Sequence, residues 1–236
     1  MRLAIMQPYF FPYLGYFNLI KHSDQFIVFD TSQYKRHGWI NRNKILHPKG
    51  GSTYIAVAIE KTSLKNRINE IKIKEAVDWE RKILSQLVQY KRKAPHYYKV
   101  LHFLEECFSS KTENLSDFNV NLLRKTCDYL EISHHITVLS HMDLRLDTVK
   151  SPDEWALNIS KSMNADIYIN APGGIEFFDR KKYEGANIEL QFIKSNLPSY
   201  FQGDEKFVPG LSIIDVMMFN TIEEIQQMLD DYEIIK

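Results

Sequence analysis

The first 30 residues predict a β-strand, a loop, an α-helix and a second β-strand, and this order constrains the fold more than any other feature. Residues 3–6 and 25–29 (QFIVF) are short apolar runs that indicate strands, and residues 14–20 between them indicate a helix. A strand–helix–strand unit of this length builds a parallel sheet with a right-handed crossover. The sequence therefore predicts an α/β fold with a mostly parallel sheet.

The rest of the chain continues this pattern around a helical middle segment. Further strands are predicted at residues 53–59, 68–73, 136–139, 166–170 and 188–193, whereas residues 31–44 are predicted to be irregular. Helices are predicted at residues 78–93, 97–108, 115–130, 151–164, 211–220 and 222–232. We expect one α/β domain over residues 1–236, with residues 78–132 as a helical insertion or subdomain.

Charge and composition exclude several classes of protein. The 236 residues carry 30 basic and 30 acidic side chains, and 44% of them are hydrophobic. That apolar content is enough to form a core, so the chain is not a disordered protein. A nucleic-acid-binding protein normally has a basic excess, so no nucleic-acid partner is expected.

The chain also lacks the sequence features of exported and membrane proteins. No apolar run approaches the ~18 residues that a membrane-spanning helix needs, and the N-terminus does not resemble a signal peptide. A cytoplasmic location is therefore expected. Cys107 and Cys127 both lie in amphipathic helical patterns and are predicted to be buried free thiols, and no histidine or cysteine spacing predicts a metal site.

Aromatic residues are concentrated near the N-terminus. Ten of the 30 lie within the first 40 residues: Tyr9, Phe10, Phe11, Tyr13, Tyr16, Phe17, Phe26, Phe29, Tyr34 and Trp39. A loop this aromatic either forms the floor of a pocket for a planar base or sugar ring, or fixes a long loop to the core. Tyr13 and Tyr16 are the stronger pocket candidates, because their hydroxyl groups need hydrogen-bond partners.

Polar residues follow the first two predicted strands, at the sheet edge where open α/β sheets bind ligands. Gln7 follows the first strand, and Asp30 and Gln33 follow the second. The basic segment that comes next combines one indole ring with amide and guanidinium groups: Trp39, Asn41, Arg42 and Asn43. A guanidinium group binds phosphate or carboxylate, and an amide binds a ring edge or a hydroxyl.

Three further segments are candidate ligand contacts. The first is Tyr13-Leu14-Gly15-Tyr16, which occupies the place of the His-x-Gly-His loop in nucleotidyltransferase-type (HUP) domains, with tyrosine at both histidine positions. The second is Gly173-Gly174, whose backbone N–H groups follow a predicted strand and would bind an anion or simply form a turn. The third is Asp215, which opens a late helix and would either face the pocket or belong to an N-cap.

Several of these residues give the chain a family resemblance. The segments 6–16 (MQPYFFPYLGY) and 38–43 (GWINRN), together with Asp24, Asp30 and residues 33–34, resemble the WbqC-like family. The resemblance continues through residues 94–97 (APHY), 168–170 (YIN) with Gly173-Gly174, residues 198–202 (PSYFQ) and 211–220 (LSIIDVMMFN). It therefore extends over essentially the whole chain.

Many members of that family lie in O-antigen or polysaccharide gene clusters, so the resemblance implies a sugar or sugar nucleotide as the small-molecule substrate. The first hypothesis is an enzyme that transfers an acyl or aminoacyl group to a nucleotide-linked amino sugar. Its donor would be an acyl thioester or an adenylate made from ATP. Arg42 would bind phosphate or carboxylate, and Asp30 would act as base or amine anchor. The alternative is a sugar-nucleotide-binding or scaffold protein without catalysis.

Overall fold

A six-stranded sheet forms the centre of the protein in the computed structural model, which describes residues 1–110, 112–203 and 206–236. Its strands are β1 (Arg2–Met6), β2 (Gln25–Val28), β5 (Ile136–Val138), β6 (Ile167–Asn170), β7 (Glu189–Ser195) and β8 (Tyr232–Ile235). They lie in the order β5-β2-β1-β6-β7-β8. The first five are parallel, and β8 pairs antiparallel with β7.

A separate antiparallel hairpin lies outside the main sheet. It pairs β3 (Arg42–Leu46) with β4 (Ser52–Ala56). Eight α-helices complete the described structure: α1 (Leu14–Lys21), α2 (Trp79–Leu87), α3 (Tyr97–Ser109), α4 (Leu115–Tyr129), α5 (Glu154–Ser162), α6 (Arg180–Glu184), α7 (Ile213–Phe219) and α8 (Ile222–Asp230).

Both faces of the sheet are covered, as parallel sheets require. Successive residues of β1 point to opposite faces, and they belong to two different buried clusters. Ala4 packs with the side chains of α1 to α4, α7 and α8, whereas Leu3 and Ile5 pack with those of α5 and α6. The protein is thus a three-layer α/β structure, which confirms the predicted fold class.

The strand–helix–strand start is present, since α1 connects the parallel strands β1 and β2. Its likeness to a HUP domain stays a prediction. The middle segment, predicted as a helical insertion or subdomain, contains α2, α3 and α4. Its buried side chains belong to the same cluster as those of α1.

Two strand predictions were wrong. Residues 68–73 do not form a strand, because Ile68–Glu70 is a turn of 3₁₀-helix. Ile68 and Ile71 are both buried, and their spacing of three residues is the period of a 3₁₀-helix. Conversely, β3 begins inside the segment predicted to be irregular, at residues 31–44, and extends two residues beyond it. Its alternation is hidden in the sequence because one of its inward-facing residues is the polar Asn43.

The end of the chain also differs from the prediction. The last helix ends at Asp230, and the following residues form β8 at the edge of the sheet. Cys107 and Cys127 are buried free thiols, as predicted. Among the described residues, no helix has both the length and the apolar character needed to cross a membrane.

Candidate functional site

The strand order creates a switch point between β1 and β6. From β1 the chain adds β2 and then β5 on one side, and afterwards places β6 on the other side. Ligands of open α/β sheets bind in the crevice at the carboxyl ends of such strands. A cavity of about 780 Å³ lies there, lined by Ile5, Met6, Gln7, Tyr9, Phe29, Thr31, Ser32, Gln33, Lys35, Pro152, Trp155, Ala156, Tyr168, Asn170, Gly173, Gly174, Phe177 and Phe178.

Aromatic side chains are prominent in this cavity. Trp155 and Phe177 are 37% and 52% exposed, which is unusual for residues so apolar. The Trp155 ring packs against Phe29, with the ring centres 5.6 Å apart. Exposed rings of this kind can stack on a planar base or on the apolar face of a sugar. Among the described lining residues, Lys35 is the only lysine, arginine, aspartate or glutamate.

Amide and hydroxyl groups supply the polar part of the lining. The Gln7 amide donates to Ser32 Oγ at 2.9 Å, and Ser32 Oγ donates to the Phe29 carbonyl at 3.1 Å. The Gln33 amide donates to the Leu64 carbonyl at 2.6 Å. Gln7 and Gln33 were both predicted to bind substrate, and both line the cavity.

A tyrosine–asparagine pair lies at the end of β6. Asn170 Oδ1 accepts from the Ala171 backbone N–H at 2.6 Å, and Asn170 Nδ2 donates to Tyr168 Oη at 2.6 Å. Burial raises the pKa of the Tyr168 hydroxyl well above its usual value, so the hydroxyl keeps its proton at neutral pH. Tyr168 is 1% exposed, yet it contributes to the cavity wall.

Gly173 and Gly174 belong to the 3₁₀ turn that follows β6. A Cβ added to Gly173 would have no other heavy atom within 4 Å, so it would project into open space. A Cβ on Gly174 would lie 2.7 Å from Cε2 of Phe178. The second glycine is therefore required for packing, whereas the first, which also lines the cavity, has room for a side chain.

Asp30 lies outside this lining. Its carboxylate is 1% exposed and accepts two hydrogen bonds from Ser140, one from the backbone N–H at 3.1 Å and one from Oγ at 2.5 Å. These bonds join the end of β2 to the segment after β5. The catalytic role predicted for Asp30 stays a prediction, and the observed contacts give it a structural role.

Arg42 and Trp39 lie at the β3–β4 hairpin. The Arg42 guanidinium donates to the His37 carbonyl at 2.5 Å and lies 4.1 Å from the centre of the Tyr54 ring. Trp39 packs 6.4 Å from the same ring. No hydrogen bond or ion pair between described residues joins Arg42 to Asp30, so the structure does not bring the two proposed catalytic groups into one contact.

The two asparagines of the same segment bind backbone groups. Asn43 is buried and donates to the carbonyls of Phe10 and Phe11 at 3.0 and 2.8 Å. Asn41 donates to the Val57 carbonyl at 3.1 Å. Both amides therefore fix the aromatic N-terminal loop and the hairpin, and neither lies in the lining of the cavity.

Tyr13 and Tyr16 support the same loop. Tyr16 is fully buried and donates from its hydroxyl to the Gln7 carbonyl at 2.7 Å, which positions the residue that enters the cavity. Tyr13 lies against Gly15, where an added Cβ would come within 2.5 Å of the Tyr13 ring. The glycine of the Tyr-Leu-Gly-Tyr segment is thus explained by packing.

Asp215 belongs to a buried hydrogen-bond network. Its carboxylate accepts from Tyr90 Oη and Tyr200 Oη, each at 2.6 Å, and from Gln202 Nε2 at 2.9 Å. Tyr90 Oη also accepts from the Leu46 backbone N–H at 2.9 Å. Burial raises the pKa of the Asp215 carboxyl, and the three donors oppose that rise. We refer to Asp215, Tyr90, Tyr200 and Gln202 as the Asp215 network.

The sequence-based site prediction missed several lining residues. Asn170 ends a strand that was predicted, so the rule that selects residues at the carboxyl ends of strands would have found it, whereas Tyr168 lies inside that strand. Trp155 and Phe177 carry no such signal, because tertiary packing of α5 and of the segment before α6 brings them to the crevice. Within the described residues, no group of three or more His, Cys, Asp or Glu side chains has a metal-binding arrangement.

These features define an α/β protein with a three-layer core and a crevice at the switch point of its parallel sheet. The WbqC-like protein family model matches residues 7–227, and the chain belongs to that family. The match includes the N-terminal loop, β6 and the glycine turn, which together supply much of the cavity.

The chain is also similar to a protein of Mycobacterium tuberculosis that carries the description "Uncharacterized protein Rv1507c". The two are 29% identical over 222 residues, which cover 93% of each chain. No solved structure matches the chain significantly.

Proposed function

We propose that the switch-point cavity binds a nucleotide-linked sugar of a polysaccharide pathway. The observation that carries this proposal is the combination of exposed aromatic rings, neutral hydrogen-bonding side chains and a single cation in one cavity of about 780 Å³. Such a volume is in the range that proteins use for small organic ligands. The pathway is suggested by the resemblance to the WbqC-like family.

Each class of lining residue suits a different part of that ligand. Trp155 and Phe177 offer surfaces for a planar base, and Lys35 offers an ammonium group for a phosphate. Gln7 and Asn170 present amides suited to sugar hydroxyl groups. The absence of carboxylates among the described lining residues favours an anionic ligand, because no negative charge opposes it.

A second candidate function is transfer of an acyl or aminoacyl group to an amino sugar held in this cavity. The volume favours it, since the cavity has room for an acyl donor beside the sugar. In direct transfer from a thioester, the amine nitrogen bonds to the acyl carbon, the C–S bond breaks, and the amine proton passes to the departing thiolate. With an adenylate, made from a carboxylic acid and ATP with release of pyrophosphate, the acyl C–O bond would break instead, and AMP would leave with the amine proton. The described lining contains no cysteine, and no histidine or carboxylate that could activate its hydroxyl groups, so its residues would orient the reactants without forming a covalent intermediate.

A thermal-shift screen tests the binding proposal. Nucleotides, sugars and nucleotide-linked sugars, with and without free amino groups, are added separately to the purified protein. A ligand at a hundredfold excess over its Kd adds about 2.7 kcal/mol to the free energy of unfolding, so the melting temperature rises measurably. A screen in which no nucleotide-linked sugar raises the melting temperature would contradict the proposal.

A thiol-release assay separates the two candidate functions. The nucleotide-linked amino sugar that binds best is incubated with acyl thioesters, and free thiol is measured together with the mass of the sugar product. Release of thiol with a matching mass increase of the sugar supports transfer. For the ATP-dependent route, the matching measurement is AMP formation with a free carboxylic acid as donor. Binding without either product supports the non-catalytic function.

A further inference from the structure

The hydroxyl proton of Tyr168 has no acceptor among the described residues. The Ala171 N–H fixes the orientation of the Asn170 amide, because it needs Oδ1 as its acceptor. Asn170 Nδ2 must then face Tyr168, and Tyr168 Oη is the acceptor in that bond. The tyrosine hydroxyl therefore retains one donor, in a buried position on the cavity wall, where an unmade hydrogen bond costs free energy.

We propose that Tyr168 binds the carbonyl oxygen of an N-acyl group on the ligand, which makes the cavity selective for acylamino sugars. This inference rests on the proposed function, because it assigns the substrate class to the same cavity. It gives Tyr168 a direct contact with the ligand, and it gives Asn170 the role of a positioning residue that orients the tyrosine hydroxyl.

The chemistry of the position favours a carbonyl over the other groups of an amino sugar. An ammonium group would place a second donor against the tyrosine donor. A sugar hydroxyl would accept from Tyr168 but would also need an acceptor for its own proton, and the neighbouring Phe178 ring supplies none. A carbonyl oxygen needs donors only, so it completes the hydrogen bonding of Tyr168 and brings no unpaired proton.

The surroundings also suit the apolar part of an acyl group. The Phe178 ring lies 5.4 Å from the Tyr168 ring, centre to centre. Gly173 lies in the 3₁₀ turn that follows β6, and there is open space around the position of its missing side chain. A methyl or short alkyl group bound beside Tyr168 would contact the Phe178 ring.

Tyr183 provides a matched control. It is fully buried and stacks on Tyr168, with ring centres 5.5 Å apart and planes at 14°. Its hydroxyl has no hydrogen-bond partner among the described residues, and Tyr183 is not a lining residue of the cavity. Tyr183→Phe therefore removes the same atom as Tyr168→Phe from an adjacent, equally buried ring.

The test compares N-acetylglucosamine 1-phosphate with glucosamine 1-phosphate by calorimetric titration. We expect the wild-type protein and Tyr183→Phe to bind the acetylated probe about tenfold more tightly than the free amine, since a buried hydrogen bond contributes about that factor. Tyr168→Phe is expected to lose the preference. The melting temperature of each variant verifies that it is folded.

Equal binding of the two probes by the wild-type protein, or preference for the amine, would overturn the inference. So would a preference that persists in Tyr168→Phe, or the absence of binding of both probes to the wild-type protein. If nucleotide-linked sugars still raise the melting temperature in any of these cases, the proposed function stands and only the assignment of the acyl group fails. If they do not, the proposed function fails as well.

Discussion

The Asp215 network and the switch-point cavity both contain buried tyrosines, but they differ in whether the hydrogen bonds are complete. Tyr90 and Tyr200 donate to the Asp215 carboxylate, so each hydroxyl proton has an acceptor inside the protein. Tyr168 accepts from Asn170, and its own proton has no acceptor among the described residues. Completed bonds stabilise the fold, whereas an incomplete set beside a cavity is available to a ligand.

Replacing the central carboxylate of the network should have the largest effect on stability. Asp215→Ala leaves the hydroxyl groups of Tyr90 and Tyr200 and the amide of Gln202 without their acceptor. We expect the free energy of unfolding to fall by about 3 kcal/mol or more, because unpaired buried donors cost roughly 1–3 kcal/mol each. Urea unfolding followed by circular dichroism measures this change.

Tyr200→Phe is the matched variant, since it removes one donor and leaves the carboxylate with two others. Its expected cost is about 1 kcal/mol. The double variant should lose less than the sum of the two single losses, because both residues belong to the same network. Additive losses would show that Tyr200 and Asp215 act independently and would contradict the network.

The two glycines of the cavity turn should respond very differently to alanine. In Gly174→Ala the new Cβ meets the Phe178 ring, and such overpacking costs about 1–3 kcal/mol. In Gly173→Ala the new Cβ enters open space, so the change in free energy of unfolding should stay within about 0.5 kcal/mol. Equal melting temperatures for the two variants would show that Phe178 does not pack against Gly174 as the structure describes.

Removing the buried hydroxyl of Tyr183, which does not line the cavity, should stabilise the protein. Tyr183→Phe keeps the stacked ring and deletes a buried polar atom that has no partner among the described residues. We expect a gain of about 1 kcal/mol in free energy of unfolding. A loss of similar size would mean that the Tyr183 hydroxyl forms a hydrogen bond in solution.

The smallest expected effect is a change in the pH dependence of stability, caused by the Glu154 carboxyl at the start of α5. A hydrogen bond from the Lys150 backbone N–H and the Lys182 ammonium at 2.9 Å lower the pKa of Glu154 from 4.5 to about 2. A lowered carboxyl pKa adds stability above the unfolded value, and that contribution is lost as pH falls from about 4.5 towards about 2. Lys182→Met should therefore make the decline in unfolding midpoint between pH 6 and pH 3 shallower.

Lys181→Met is the control for that measurement. Lys181 is the neighbouring lysine on α6, is exposed, and forms no ion pair among the described side chains. Its substitution should leave the pH dependence of the unfolding midpoint unchanged. Identical curves for Lys182→Met and the wild-type protein would show that this ion pair does not hold the Glu154 carboxyl ionised.

The sequence predicted the α/β class because apolar strand runs and helical periodicity are local signals. β3 and β8 escaped prediction because pairing with another strand, not their own pattern, defines them. For the site, the rule about strand ends selected Gln7 and Gln33, which line the cavity. The same rule selected Asp30, whose partner Ser140 lies in the 3₁₀ turn after β5, 110 residues away in the chain, and no local pattern reveals that contact.

The hairpin residues illustrate a second limit. Arg42 and Asn43 have the side chains of a ligand site, but backbone carbonyls of the N-terminal half use their hydrogen-bonding capacity. Residue type predicts what a group can bind, and only the tertiary structure shows whether a partner inside the protein is already bound.

The central claim is that the ligand binds in the cavity between β1 and β6 and not at the β3–β4 hairpin. Its most direct test is a titration of the best nucleotide-linked sugar from the screen into Gly173→Leu, Arg42→Ala and the wild-type protein. Gly173 lines the cavity and has open space around an added Cβ, so we expect a leucine there to occupy ligand space, with loss of binding and little change in melting temperature. Arg42→Ala should bind like the wild-type protein. Retained binding in Gly173→Leu together with loss in Arg42→Ala would contradict the account and place the ligand at the hairpin.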